Sequence, residues 1–178
     1  MLRSLVGSEM CIRDRLDIHR ALVPSADDSA TVAAVDIATH IELLHYAFLL
    51  HDDVIDGDLT RRKRPNLIGE LAASTPATSE EDSLHWARSS AILMGDLMLS
   101  AAIMGFARAE VSAHARRRLL DLVEQTILET VAGEHTDVAL SHGIIASDVD
   151  TVLTMSVYKT ATYSFSLPLR AAALLADS

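Results

Sequence analysis

Apolar residues recur along this chain at helical rather than strand spacing. Over residues 31–56, Val32, Val35, Ile37, Ile41, Leu44, Phe48 and Leu49 recur at helical spacing. The polar run SADDS at 25–29, preceded by Pro24, suits a helix start, and Gly57 is placed to end that helix. A basic loop, RRKRPN, follows with Pro65 as breaker; then come a short apolar patch, LIGELAA, and STPATSEED, a linker by composition. Two further long helices are expected over residues 83–109 and 113–140. Ser147 or Asp148 caps a fourth, which Pro168 should kink or break. No internal repeat or low-complexity tract interrupts the pattern. The fold class expected is all-α, a bundle of long helices.

Composition narrows the picture. With 178 residues, 49% of them hydrophobic and 22% charged, the chain can bury one core but not two independent ones. A single cysteine excludes a disulfide scaffold, and the apolar content excludes disorder. A formal net charge of −10 argues against a nucleic-acid partner. The greasiest stretches, IATHIELLHYAFLL and the chain end, are interrupted by Glu42, His45 and Arg170. They fall short of the roughly 18–20 uninterrupted apolar residues of a spanning helix, so no membrane span is expected. The N-terminus lacks the features of a signal peptide, which makes a cytoplasmic location the expectation.

The two ends stand apart from the rest. MLRSLVGSEMCIRDR resembles translated sequencing-adapter read-through, so residues 1–15, with Cys11, are read as a non-native arm; an ordinary N-terminal arm is the other reading. LLADS stops inside an apolar helical pattern. Residues 16–178 are therefore expected to be part of a larger helical domain.

The chemistry concentrates in HDDVIDGDLTRRKRPN, residues 51–66. Asp52 and Asp56 lie four apart, on one helix face; Asp53 sits about a third of a turn away, and Asp58 follows just past the helix. Carboxylates crowded there repel one another and face the negative end of the helix dipole, unless a cation joins them. Mg²⁺ takes such oxygens and keeps room for substrate phosphates. Arg61, Arg62, Lys63 and Arg64 follow at once, and guanidinium groups pair bidentately with phosphate. Acid for a metal and base for phosphate point to a metal–diphosphate site. The plainer alternative is that the arginines simply neutralise the aspartates on a solvated face. Against it, these acids end a strongly apolar helix, which points its tip out of a core.

These residues resemble the trans-isoprenyl diphosphate synthases, or polyprenyl synthetases. HDDVID followed by TRRKRP is similar to the family's first aspartate-rich motif, DDxxD, and its arginine pair. In the family's order follow MGDLMLSAA at 94–102, similar to its Gly-Asp segment, AGEHTD at 132–137, similar to its Gly-[Gln/Glu]-x-x-Asp helix, and YKTAT at 158–162, similar to its Lys-Thr element. The resemblance covers residues 31–176. It implies the isoprenoid synthase type of helical bundle and Mg²⁺-dependent prenyl transfer. An allylic diphosphate ionises, the double bond of isopentenyl diphosphate attacks the cation, and a proton is lost. Magnesium and basic side chains stabilise the departing pyrophosphate. By resemblance, Asp52 and Asp56 are the principal metal ligands and Asp53 supports them. Arg61 holds the allylic diphosphate and Arg62 the isopentenyl diphosphate, while Lys159 and Thr160 reach the allylic diphosphate from another helix. Phe48, four residues before Asp52 and beside Ala47 and Tyr46, would limit the prenyl tail and favour a farnesyl or geranylgeranyl product. Family members are usually homodimers, and the Ala-rich helix over 83–109 is a candidate dimer face.

Departures from the family pattern also carry expectations. Lys63 stands where the family has Gly after the arginine pair. A second aspartate-rich motif does not follow Lys159, SDVD at 147–150 is too early, and an upstream Gly-Gly-Lys-Arg segment is absent before Asp28. The 178-residue polypeptide is therefore expected to be catalytically inactive or nearly so. Three other functions share parts of this pattern. A terpene cyclase shares DDxxD but has no need of the arginine pair, whereas a noncatalytic subunit of a prenyl synthase would tolerate the missing motif. A di-iron bundle would use Glu42 and His45 but needs a second Glu-x-x-His, which is not present. His45 is read as packing beneath the site, and His51 either orients a carboxylate or lies on the surface. Asp96 and Glu134 are left open between function and a solvent-facing position.

Overall fold

A computed structural model describes residues 28–76 and 79–176. Its elements are α1 (Asp28–Asp56), β1 (Thr60–Arg61), β2 (Arg64–Pro65), α2 (Leu67–Ser74), α3 (Glu80–Arg108), α4 (Ala113–Ser141), α5 (Val149–Ser156), a π-helical stretch (Val157–Ser166) and α6 (Leu167–Ala176). The all-α expectation holds, and the three long helices match the hydrophobic periodicity to within a few residues. The arm at 1–15, Pro24 and residues 25–27 lie outside the described residues.

Local chemistry explains where the helices begin. The Ser79 hydroxyl accepts from the Asp82 amide at 3.1 Å and donates to the Asp82 carboxylate, a capping arrangement that opens α3. Ser112 caps α4 by accepting from the Ala115 amide, and Asp148 caps α5 by accepting from Thr151. The amide bond to Thr151, followed by the bond from its hydroxyl, holds the Asp148 carboxyl below the usual aspartate range.

Three features differ from the sequence reading. RRKRPN is not a simple loop: Thr60 pairs with Pro65 and Arg61 with Arg64 in a minimal antiparallel hairpin. LIGELAA forms α2, because Asn66 supplies the cap that starts it. Pro168 does not break its helix. The chain passes from α5 into π winding, and Leu167 still donates to the Thr162 carbonyl, five residues back. The missing amide of Pro168 thus falls where the winding returns to α, and no regular i→i−4 ladder is cut there.

The chain packs as two compact units. One comprises residues 28–42 and 103–176. Its core draws on Ile37, Ala38 and Ile41 of α1, Phe106 of α3, Leu119, Leu122 and Val123 of α4, and Leu167, Ala171 and Ala172 of α6. The other is Leu43–Ala102, where Ile68 of α2 is fully buried against Ala87 and Ala91 of α3, with Val54 and Leu84 packed around them. By length and mean hydropathy, Val32–Asp56 and Glu80–Arg108 are each apolar enough to cross a bilayer. Core helices of a bundle pass the same test, and it establishes no span.

Candidate active site

In the second unit, the acidic end of α1 is shaped by its own stop signal. Gly57 adopts φ 73, its amide bonds the Val54 carbonyl at 3.3 Å, and Asp58 bonds the Asp53 carbonyl at 2.9 Å. This is a Schellman close, which a residue without a β-carbon adopts at least cost. The chain then turns back through the hairpin, whose two central residues, Arg62 and Lys63, both have positive φ, 53° and 64°. A two-residue turn of this hand suits the twist of the strands but favours Gly or Asn. Lys63 therefore sits in a strained, left-handed position.

The hairpin folds Arg61 onto α1. Its Nη2 donates to Asp53 Oδ1 at 2.7 Å and to Asp52 Oδ2 at 2.9 Å, and its Nε donates to Asp53 Oδ1 at 3.1 Å. Burial disfavours the Arg61 charge, but hydrogen bonds and Coulomb attraction from Asp53, then from Asp52, outweigh it and raise its pKa. Asp53 is buried, with 5% of its side chain exposed, Asp52 is half-buried, and Asp56 is exposed. The reading of Arg61 as neutralising the aspartates is thus realised in part, at two of the three acids.

Asn66 fixes the hairpin from behind. Its amide nitrogen donates to the Asp58 carbonyl at 2.8 Å, its side-chain oxygen accepts from Gly69, and its backbone bonds Leu59. This buried residue was missed as a site element, although Pro-Asn before an apolar run is a helix-start signal. On α3, Asp96 lies 3.2 Å from His51 Nε2, so His51 does meet a carboxylate. Arg62 is exposed at the turn, and Phe48 is half-buried next to the fully buried Ala47.

Among the described residues, no three His, Cys, Asp or Glu side chains stand together as a metal cage. The donor set still fits Mg²⁺. Asp52 and Asp56 offer hard oxygens one turn apart, and Mg²⁺ is commonly bound through one or two carboxylates, with water and phosphate completing its shell. The same geometry gives no support to a caged di-iron centre.

The first unit carries a separate charged cluster. Lys159, on the π-helical stretch, places Nζ 2.5 Å from Asp137 and 3.1 Å from Glu134, both on α4. The Thr162 hydroxyl lies 3.2 Å from Glu129 and from the Val157 carbonyl. Glu134, left open by the sequence, is thus an ion-pair partner. Thr160 is exposed, and Thr162 is the threonine that turns inward. Glu129 had no sequence signal, and Thr162, the last residue of YKTAT, was not singled out.

Comparison with known proteins identifies the family. The sequence profile of the polyprenyl synthetases matches residues 11–178, and the chain belongs to that family, the trans-isoprenyl diphosphate synthases. It is 33% identical over 131 residues to geranylgeranyl diphosphate synthase of Mycobacterium tuberculosis, covering 72% of this chain and 32% of that protein. It is 29% identical over 146 residues to a mitochondrial hexaprenyl pyrophosphate synthase of Saccharomyces cerevisiae, covering 82% of this chain and 24% of that one. A solved geranylgeranyl pyrophosphate synthase from Corynebacterium glutamicum, complexed with isoprenyl diphosphate and magnesium, superposes with a TM-score of 0.76 at 27% identity, over 92% of this chain and 45% of that chain. The chain therefore spans about a quarter to a third of the length of these curated relatives.

Proposed function

We propose that this chain serves the condensation of isopentenyl diphosphate with an allylic diphosphate. The observation that carries the reading is the α1 tip: three aspartates, with Arg61 laid across Asp52 and Asp53. Asp52 and Asp56 would hold Mg²⁺, which supplies charge neutralisation for a leaving pyrophosphate. Asp53 keeps Arg61 in place. Arg61 binds the allylic diphosphate and Arg62 the isopentenyl diphosphate, while Lys159 and Thr160 contribute to allylic diphosphate binding. Prenyl transfer needs little more from these side chains than cations aimed at a leaving group, and positioned charges of this kind are effective catalysts.

A short product, of the farnesyl or geranylgeranyl class, goes with Phe48 on α1, and Phe48→Ala in a longer, active form should lengthen it. A second copy of the chain is the proposed cover for α3, where Trp86, Leu93 and Leu97 are exposed. The cell location proposed is cytoplasmic. Calorimetric titration of the chain with pyrophosphate tests the reading: binding that requires Mg²⁺ supports it, and no binding with Mg²⁺ present refutes it. The 178-residue chain alone should not turn over dimethylallyl or geranyl diphosphate with isopentenyl diphosphate.

A further inference from the structure

Lysine is a poor anion ligand until something fixes it. Its flexible four-carbon stem has rotamer entropy to lose. In the first unit, that loss is met before any ligand arrives. Lys159 is only 18% exposed at its side chain, and its ammonium is bonded by Asp137 and Glu134. Both acids follow Gly133 on α4, where the two backbones approach closely. A β-carbon built there would collide with the Lys159 amide nitrogen and stand 2.7 Å from the Tyr158 carbonyl carbon. The π winding presses this backbone onto α4, and the Thr162 hydroxyl reaches both Glu129 and the Val157 carbonyl at the same contact. Long π turns are uncommon and tend to occur at functional sites.

We propose that Gly133, Glu134 and Asp137 are positioning residues for Lys159, Gly133 by admitting its backbone against α4 and the two acids by fixing its ammonium for a diphosphate. This rests on the diphosphate reading above. Preorganisation lowers the ordering cost at the moment of binding. Repulsion between the carboxylates and phosphate opposes it, so the balance has to be measured.

The chain supplies its own reference, because Lys63 in the exposed hairpin turn and Lys159 are its only lysines. Amine acylation of the 178-residue chain, read by mass spectrometry, should find Lys159 about tenfold slower than Lys63. Asp137→Ala, and separately Gly133→Ala, should bring the two within about threefold of each other with the far-UV helix signal retained. Glu134→Gln, which keeps an acceptor, should preserve most of the protection. Equal rates in the unaltered chain, or a ratio that Asp137→Ala leaves unmoved, overturns the proposal; should Gly133→Ala unfold the chain, Asp137→Ala decides. A merely structural ion pair would give the same ratios, so the reaction is repeated with pyrophosphate and Mg²⁺. Positioning predicts that pyrophosphate slows Lys159 by about a further threefold in the unaltered chain, and not in Gly133→Ala. If calorimetry detects pyrophosphate binding while Lys159 is indifferent to it, the positioning role is wrong and the proposed function stands. If no pyrophosphate binds, the function falls and the positioning role with it.

Discussion

The tip of α1 and the Lys159 cluster both set several carboxylates around a single base, yet they are assembled in opposite ways. At the tip, Arg61 and its partners lie eight and nine residues apart, and one hairpin brings them together. Around Lys159 the partners lie 22 to 33 residues apart on two elements, and the contact depends on how α4 packs against the π-helical stretch. Local clusters survive small changes in packing because turn chemistry sets their geometry. Long-range clusters inherit every change in the core beneath them.

That contrast can be broken by substitution. The largest effect should come from Ile68→Ala, which empties the core under α2 and should cost about 3 kcal/mol in denaturant-induced unfolding. It should also leave the protection of Lys159, in the other unit, unchanged. Asp53→Ala should cost about 2 kcal/mol, less than a fully buried pair, because Arg61 is 38% exposed and water screens it. Lys63→Gly should stabilise the chain by about 0.5 kcal/mol, the relief of left-handed strain less the added chain entropy. A destabilising Lys63→Gly would mean that the turn is held by contacts of the lysine side chain. The smallest effect concerns pH. Asp148 titrates below its unfolded value, so its cap on α5 is intact above the ordinary aspartate range and is lost as the pH falls through the lowered pKa. The protection of the Thr151 amide, its exchange relative to the intrinsic rate at each pH, should fall in acid, and Asp148→Asn should remove most of that pH dependence.

The same contrast explains what the sequence could reveal. The long helices, the stop at Gly57 and the cap at Asp148 were legible because periodicity and capping act within one or two turns. The aspartates and arginines at 52–64 were legible as metal and phosphate chemistry for the same reason. That arginines would meet aspartates was legible as the plainer alternative, but which arginine and which acids was not, since the bonds of Arg61 to Asp52 and Asp53 depend on the hairpin turned by Arg62 and Lys63. The π winding at 157–166, and with it the inward turn of Thr162, depends on a close approach at Gly133 that no local rule encodes. Asn66 falls between these cases, as a cap signal that was present and overlooked.

The central claim is that Asp52 and Asp56 hold a divalent ion that in turn holds a diphosphate. Its most direct test is the ³¹P relaxation of pyrophosphate in the presence of the chain and Mn²⁺ as a paramagnetic substitute for Mg²⁺. A metal held by Asp52 and Asp56 gives strong, protein-dependent broadening that disappears when Asp52→Asn and Asp56→Asn are combined, in a variant whose helix content is unchanged. Broadening of equal size in that double variant would contradict it.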